Sequence, residues 1–407
     1  MNLNTIKLVH KLKPLILLLL FMSSSFVFSQ SKISIEGLVY DMYDYPVPYS
    51  SIGISKKNIG ASATEDGSFS FSISKKELID TLKVSSIGYE TYKISVQDFI
   101  KLKDKKIILK DKITELKEIS IQSSKTIVKN ALKKLKANTL SRKHALGMLY
   151  RRWSVEDKIC RFFIEQYIDV VDRGPSSNIY GFKIRHNRTS SDYRFVKNLQ
   201  NKHSLQYMEW NNPLRKGISL GVYKWKKIKD TNYDDDDIVV IKGTDKNGDF
   251  ITLYIGLNTA KIYRLDMFKT HKEGRSMDAI YVYKNNNQNK LYLSYHKREY
   301  TFQVKTPEHI KRIMIQTGKK PKPFVPVAYR HEVFVLNLDN NSKTTKSKGD
   351  EYNQRDMTLY KLDYDQHFWN NLSLPPETKF YQKNRDELEG LFDVPLEIQF
   401  KYSNSNS

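Results

Sequence analysis

Few residues in this chain are spaced for chemistry. His296-Lys297-Arg298-Glu299 sets a histidine and a glutamate three apart, a spacing that can serve zinc. Leu291 to Val304 alternates like a strand, however, and there i and i+3 face opposite sides. No third ligand stands at a suitable distance, and His309 and His331 are isolated. A zinc site needs three convergent ligands and an open position, so no metal is assigned. Asp245-x-Asn247-x-Asp249 imitates a calcium loop, but its sixth position is Phe250 rather than Gly and its twelfth is Gly256 rather than Glu. It reads better as a hairpin turn. Asp234 to Asp237 could attract a cation, yet carboxylates adjacent in sequence seldom converge, and a solvated turn is the reading adopted. No P-loop or GxGxxG is present. The sole cysteine, Cys160, lies in an apolar run and reads as a small buried thiol that cannot form an internal disulfide.

What remains are mixtures of aromatic and polar groups, as found at glycan and protein sites. Tyr150-Arg151-Arg152-Trp153 is the candidate binding stretch, with Tyr207 to Trp210 a second. The competing reading is a strand with core on one face and solvent on the other. No catalytic, cofactor or metal residue is assigned, and the chain reads as leaning away from an enzyme.

The elements that would position such groups are mostly strands. The 26 Tyr and 19 Phe favour β structure. Residues 32–122 break into short alternating runs, including Ser51-Ile52-Gly53-Ile54-Ser55, Phe69-x-Phe71 and Leu82-x-Val84. Strands spaced near ten residues predict a β-sandwich. Thr64-Glu65-Asp66-Gly67 predicts a hairpin that sends Phe69 and Phe71 into a core. Over 123–140, Ile127, Val128, Ala131, Leu132 and Leu135 share one helical face behind the capping serines Ser123 and Ser124, which predicts a helical link packed on the next domain. Residues 146–364 read as one antiparallel β-rich domain, with strands at Leu149–Trp153, Cys160–Val171, Ile238–Ile241, Phe250–Ile255, Ile262–Phe268, Ala279–Tyr283, Leu291–Tyr295, Tyr300–Val304 and His331–Leu338. The breaks at 172–178, 184–236 and 305–328 read as loops, and 365–407 as an irregular tail.

Residues 1–29 read as a cleaved signal peptide. Lys7, Lys11 and Lys13 precede the apolar run Leu15–Phe21, and Val27-Phe28-Ser29 offers a small-residue cleavage site. The apolar core is shorter than the ~20 residues of a spanning helix. The formal charge of +23 becomes +20 once those three lysines leave. An exported chain so charged favours lipid headgroups, lipopolysaccharide or acidic glycans over nucleic acid, which it rarely meets.

The order Gly37-x-Val39-x-Asp41, Tyr45-Pro46-Val47-Pro48, Gly60, Thr64-Glu65-Asp66-Gly67-x-Phe69 and Leu82-x-Val84-Ser85-Ser86-Ile87-Gly88-Tyr89 resembles the carboxypeptidase-regulatory-like domain, and Leu116–Ile121 resembles the segment that often ends it. The resemblance implies a seven-stranded prealbumin-like sandwich in which Gly37, Asp41, Pro46, Gly60, Asp66, Gly67, Phe69, Gly88 and Tyr89 are structural. It implies an accessory module of gram-negative envelope proteins, in the periplasm or at the outer membrane, and no peptidase activity. Phe250–Ile255 with Thr259–Leu265 is faintly similar to the curved sheets of periplasmic lipoprotein carriers. A transmembrane barrel of about 22 strands needs several hundred residues more than follow the front domain.

The sequence therefore predicts a mainly β, non-enzymatic exported envelope protein, in which a sandwich adaptor precedes a β-rich domain that binds a protein, a glycan or an anionic surface. Two alternatives stay open. One is a hydrolase with catalytic groups in the rear loops, the other a periplasmic carrier of apolar ligands.

Overall fold

Alternation of small polar and apolar residues builds the front of the chain. In β4 (Ser68–Ile73), Phe69, Phe71 and Ile73 turn to one side and are buried. The computed structural model describes residues 32–112, 122–195, 205, 209, 211–271, 274–340, 356–360 and 362–403. The leader, Leu116–Ile121 and all of Tyr207–Trp210 except Glu209 fall outside that range. β4 pairs with β1 (Ile33–Asp41), which also pairs in parallel with β7 (Lys106–Leu109). The second sheet has the order β3 (Gly60–Ser62), β2 (Ser51–Ile54), β5 (Thr81–Ser85), β6 (Tyr92–Ser95). The two close on Ile35, Val39, Ile52, Phe69, Leu82, Val84 and Ile107, which is the expected seven-stranded sandwich.

The Asp66-Gly67 turn does not close a two-strand ladder. β3 pairs with β2 and β4 with β1, so the turn carries the chain from one sheet to the other. Thr64 Oγ1 donates to Asp66 Oδ1 at 2.6 Å, and Gly67 sits at φ +78°, where a side chain is strained. Turn residues fix the reversal of the chain. Which strand each arm joins is decided by the core.

Helix α1 (Val96–Lys101) belongs to the sandwich. Helix α2 (Ser124–Asn138) starts on Ser123, whose Oγ accepts from the Thr126 amide at 3.2 Å. Its buried Val128, Ala131 and Leu135 pack on the rear sheet, as the stripe predicted.

The rear domain is one open, ten-stranded antiparallel sheet: β8 (His144–Glu156), β9 (Ile159–Asp172), β10 (Gly181–Thr189), β11 (Lys224–Tyr233), β12 (Asp236–Thr244), β13 (Phe250–Gly256), β14 (Ile262–His271), β15 (Arg275–Asn285), β16 (Leu291–Lys305) and β17 (Phe324–Asp339). The spatial order is β10-β9-β8-β17-β16-β15-β14-β13-β12-β11. Two meanders, β8 to β10 and β11 to β16, are joined by the last strand, which inserts between β8 and β16. α2 covers one face. The front sandwich and three C-terminal helices cover the other.

Several stretches expected to be loops are ordered elements. β10, β11 and helix α3 (Glu308–Gln316) fall in them, and β17 begins well before His331. β11, KWKKIKDTNY, carries four lysines because it is an edge strand, and charged edges resist pairing with other chains. Those lysines mask the apolar alternation. The tail is likewise not irregular: α4 (Gln366–Asn371), α5 (Lys379–Gly390) and α6 (Leu396–Ser403) bury Trp369, Tyr381, Leu388 and Phe400. Helices this short draw their stability from packing rather than propensity, so their own sequence announces them weakly.

Candidate functional site

The front sandwich docks on the rear sheet through polar side chains presented by turns and bulges. In β16, Ser294 is the extra residue opposite Val282–Tyr283. Such a bulge re-aims a side chain. The Ser294 hydroxyl accepts from Ser62 Oγ of the sandwich at 3.1 Å. The β11–β12 turn inserts Asp234, whose carboxylate accepts from Ser85 Oγ at 2.5 Å and Thr91 Oγ1 at 2.9 Å and pairs with Lys83 Nζ at 2.8 Å. Burial disfavours that charge, but Lys83 and the hydroxyls outweigh it and hold the carboxyl below its usual range. The Gly88 amide donates to Asn232 O at 2.9 Å from φ +94°, and a Cβ there would approach Thr231 Oγ1 to 3.3 Å.

Along this seam lies a cavity of about 480 Å³. The sandwich contributes the loop Ser55–Ile59 with Lys83 and Ser85. The rear sheet contributes Tyr233, Tyr263, Tyr292, Lys261, Lys284, the turn aspartates Asp234, Asp235 and Asp236 and the turn asparagines, among them Asn285 and Asn289. A second cavity of about 190 Å³ shares Ser51, Tyr233, Tyr263 and Lys284 and adds Tyr49, Tyr89, Tyr254 and Arg264. Tyr263 reaches the seam as the extra residue of a bulge between β13 and β14, and its hydroxyl donates to Asp236 Oδ2 at 3.1 Å.

Lys284 distinguishes this space. It stands opposite Tyr292 in the β15–β16 ladder and is 7 % exposed. Its Nζ lies 5.7 Å from the Tyr292 ring centroid and pairs with no carboxylate among the described residues. Burial alone pushes the ammonium down to about 8. Lys261 is similar. Its Nζ donates to Asn285 Oδ1 at 2.8 Å, Asn289 O at 2.9 Å and Asn289 Oδ1 at 2.6 Å, all neutral, and burial leads the lowering of its pKa. Two ammonium groups thus face one polar, tyrosine-lined space without a formal counter-charge bonded to either. Neither lysine was singled out by motif. The available signal was phase: Lys284 follows Ile280 and Val282 on the same strand face, where an apolar residue is expected.

The candidate stretch Tyr150–Trp153 lies within β8 and is buried throughout, so its four side chains alternate between faces rather than forming one surface. Arg151 belongs to a row running Arg188, Glu165, Arg151, Glu332, Lys297 across five strands. Arg188 Nε donates to Glu165 Oε2 at 2.6 Å, and Arg151 pairs with the other oxygen. The Tyr381 and Trp369 rings cover the two guanidinium groups. Trp153 stacks on Phe163 at 4.0 Å and meets Tyr381 edge-on. On the opposite face, Arg298, His331 and Arg152 form a second row, and Tyr150 Oη bonds His331 Nδ1 at 2.9 Å. Burial and the neighbouring arginines push the His331 pKa well down.

The other residues weighed for chemistry fall into structural places. His296 is buried beside Glu209, whose Oε1 lies 2.5 Å from its Nδ1, while Glu299 sits opposite Asp278 and Arg330. Asp245 Oδ1 closes the β12–β13 turn by accepting from the amides of Asn247 and Asp249. Asp41 Oδ1 accepts from the Tyr43 and Tyr45 amides, Pro46 bridges Tyr40, and Phe69 fills the front core. Cys160 is buried, and burial raises its thiol to about 12.

Residues 35–121 match the family model of the CarboxypepD_reg-like domain. A comparison with curated proteins finds no match. Among solved structures, the chain is similar to a domain described as an outer membrane lipoprotein-sorting protein from Vibrio parahaemolyticus. The two share 8% identity over 53% of this chain and 92% of that one, with a TM-score of 0.25. A DUF1329 family protein from Desulfovibrio piger is similar at 8% identity over 53% of this chain and 94% of its own, with a TM-score of 0.23. At such TM-scores neither likeness bears on this chain's ligand. Among the described residues no helix is long and apolar enough to cross a membrane.

Proposed function

We propose that the chain is an exported, non-catalytic envelope protein that binds an acidic glycan in the seam between its two domains. The sandwich acts as an adaptor clamped onto the sheet, and the sheet supplies the ligand-facing charges. The observation that carries this reading is Lys284, a buried ammonium without a counter-charge facing a cavity of about 480 Å³. A cavity of that volume suits a small oligosaccharide. Tyrosine rings receive the C–H faces of sugars while their hydroxyls and the asparagine amides bond the ring hydroxyls. A uronate or similar acid would supply the counter-charge that Lys284 lacks. The leader supports export, and the positive net charge suits an acidic ligand.

Two features favour binding over hydrolysis. Asp234 is committed to Lys83, Ser85 and Thr91, and Asp236 accepts from Tyr263 and Thr259, so two of the three aspartates lining the cavity are spent on structure. Glycoside hydrolysis needs a free pair, one of them with a raised pKa. The carrier reading has less support, because α2 fills the apolar face of the sheet with Val128, Ala131 and Leu135.

Isothermal titration of the mature chain with oligogalacturonates and with neutral cello-oligosaccharides tests the proposal. Saturable binding of the acidic series, weaker binding of the neutral one, and a loss of tenfold or more in Lys284→Met are expected. Equal affinity of wild type and Lys284→Met, or no binding of the acidic series, overturns it.

A further inference from the structure

The connection between β16 and β17 projects from the end of the sheet and has a composition unlike the rest of the surface. From Lys305 to Phe324 it holds six cations, Lys305, Lys311, Arg312, Lys319, Lys320 and Lys322, against a single acid, Glu308. Lys311 pairs with Glu308 at 2.6 Å, and Lys322 with Asp157 of the neighbouring β8–β9 turn at 2.8 Å. The other four cations have no carboxylate partner among the described residues. Between them stand large apolar side chains turned outward. Ile313 is 51 % exposed, Ile315 62 % and Phe324 54 %.

This projection is an ordered element. Ile310 is buried and anchors α3 to the body. At its C-terminus Gly318 sits at φ +72° and the Lys319 amide donates to Met314 O at 2.7 Å, a six-to-one closure that ends the helix. The Thr306 amide donates to Pro323 O at 3.0 Å and closes the neck. Pro321 and Pro323 stiffen the return. Isoleucines and a phenylalanine are therefore held in water by a built support, on a segment rich in lysine.

We infer that the Lys305–Phe324 projection docks the protein on an anionic phospholipid surface, with Ile313 and Phe324 entering the headgroup boundary and Lys305, Arg312, Lys319 and Lys320 meeting phosphates. Charge complementarity selects this occupant. A protein partner's apolar groove would cover the isoleucines but leave the free cations unpaired, whereas an anionic bilayer supplies both an apolar interior and a negative surface. Each Lys or Arg near such a surface adds to binding, and the attraction fades within a Debye length. The helix is too short to span and suits a shallow interfacial position. The glycan cavity plays no part in this argument, and different residues carry it.

Co-sedimentation with vesicles tests the inference, using phosphatidylglycerol mixed into phosphatidylcholine and phosphatidylcholine alone. The mature chain should partition onto the mixed vesicles at about 0.1 M salt and leave them near 1 M, where the Debye length falls to about 3 Å. Lys319→Glu with Lys320→Glu should lower partitioning at least tenfold. Ile313→Ser with Phe324→Ser should lower it on the same vesicles while leaving the melting temperature unchanged, since both side chains are exposed. Equal partitioning onto both vesicle types, or charge reversal without effect, overturns the inference. So does a concentration-dependent dimer in sedimentation velocity that Ile313→Ser with Phe324→Ser dissociates, because the patch is then covered by a second copy.

Discussion

Glu65, in the sheet-crossing turn of the sandwich, accepts a hydrogen bond from Arg330 of β17 at 2.8 Å. The same guanidinium reaches Glu332 at 2.9 Å, and the Phe380 ring lies 3.8 Å from it. The front turn, the central strand and the C-terminal helices therefore meet on one cation. Its two carboxylates differ in weight. Glu332 is nearly buried and also accepts from Tyr295 Oη, while Glu65 keeps more of its solvent. Glu65→Ala should lower stability by about 1–2 kcal/mol, the worth of one charge-assisted bond. Arg330→Met should cost about 3–5 kcal/mol, because it strands Glu332 in the interior. Urea unfolding of both variants checks the order, and similar losses would show that the seam is held elsewhere.

Replacing Lys284 with methionine should raise stability while abolishing acidic-ligand binding. The native side chain brings a charge into the seam with no bonded counter-ion, and an apolar side chain of similar length removes that penalty. A gain of about 1–3 kcal/mol is expected. Thermal melts of the ligand-free chain decide it. A destabilised Lys284→Met would mean that the ammonium already has a partner.

The pH dependence of that gain follows from the lysine's lowered pKa. Below about 8 the ammonium is charged in both folded and unfolded chains, so the penalty of burying it is fully present. Between about 8 and the ordinary lysine value of 10.5 the folded chain gives up the proton first, and stability recovers as pH rises. The stability difference between Lys284→Met and wild type should therefore be largest at neutral pH and shrink by pH 10. Paired melts across that range check it, and a constant difference would rule out the titration. Binding of an acidic glycan should weaken over the same interval, as the cation that meets it disappears.

The sequence carried the front domain almost completely, because Asp66-Gly67, Asp41 and Gly88 act through local backbone chemistry that a single chain displays. Pairing was another matter. That β3 and β4 join different sheets depends on Phe69 and Phe71 finding Phe99 and Ile107, which lie far along the chain. In the rear, strands with clean alternation such as β13 were legible, whereas β11 hid behind edge lysines. The seam was invisible for a deeper reason. Lys83 of the sandwich reaches the cavity that Asp234, Lys284 and Tyr292 line only through docking of two domains, and no spacing within either encodes that distance.

Arg151 and Arg152 offer the sharpest test of the rear sheet, because they are adjacent in sequence and should respond oppositely to the same replacement. Arg151 pairs with Glu165, and Glu332 stands opposite it in the ladder. It also donates to Pro375 O at 3.3 Å. Arg151→Met would leave those buried carboxylates short of a partner and should cost about 3–5 kcal/mol. On the other face, none of the three Arg152 side-chain nitrogens has a hydrogen-bonding protein group among the described residues. The Asp356 Oδ1 oxygen is 4.0 Å away, and the Tyr329 ring lies 4.5 Å from the guanidinium. Burial lowers its pKa, the mark of a charge poorly compensated. Arg152→Met keeps the stem that packs in the row and removes that charge, so stability should be unchanged or rise by up to about 3 kcal/mol. Chemical unfolding of the two variants under one condition reads the contrast directly. If both lose several kcal/mol, Arg152 is holding a group that its protein neighbours do not account for, and the second row becomes a binding site in its own right.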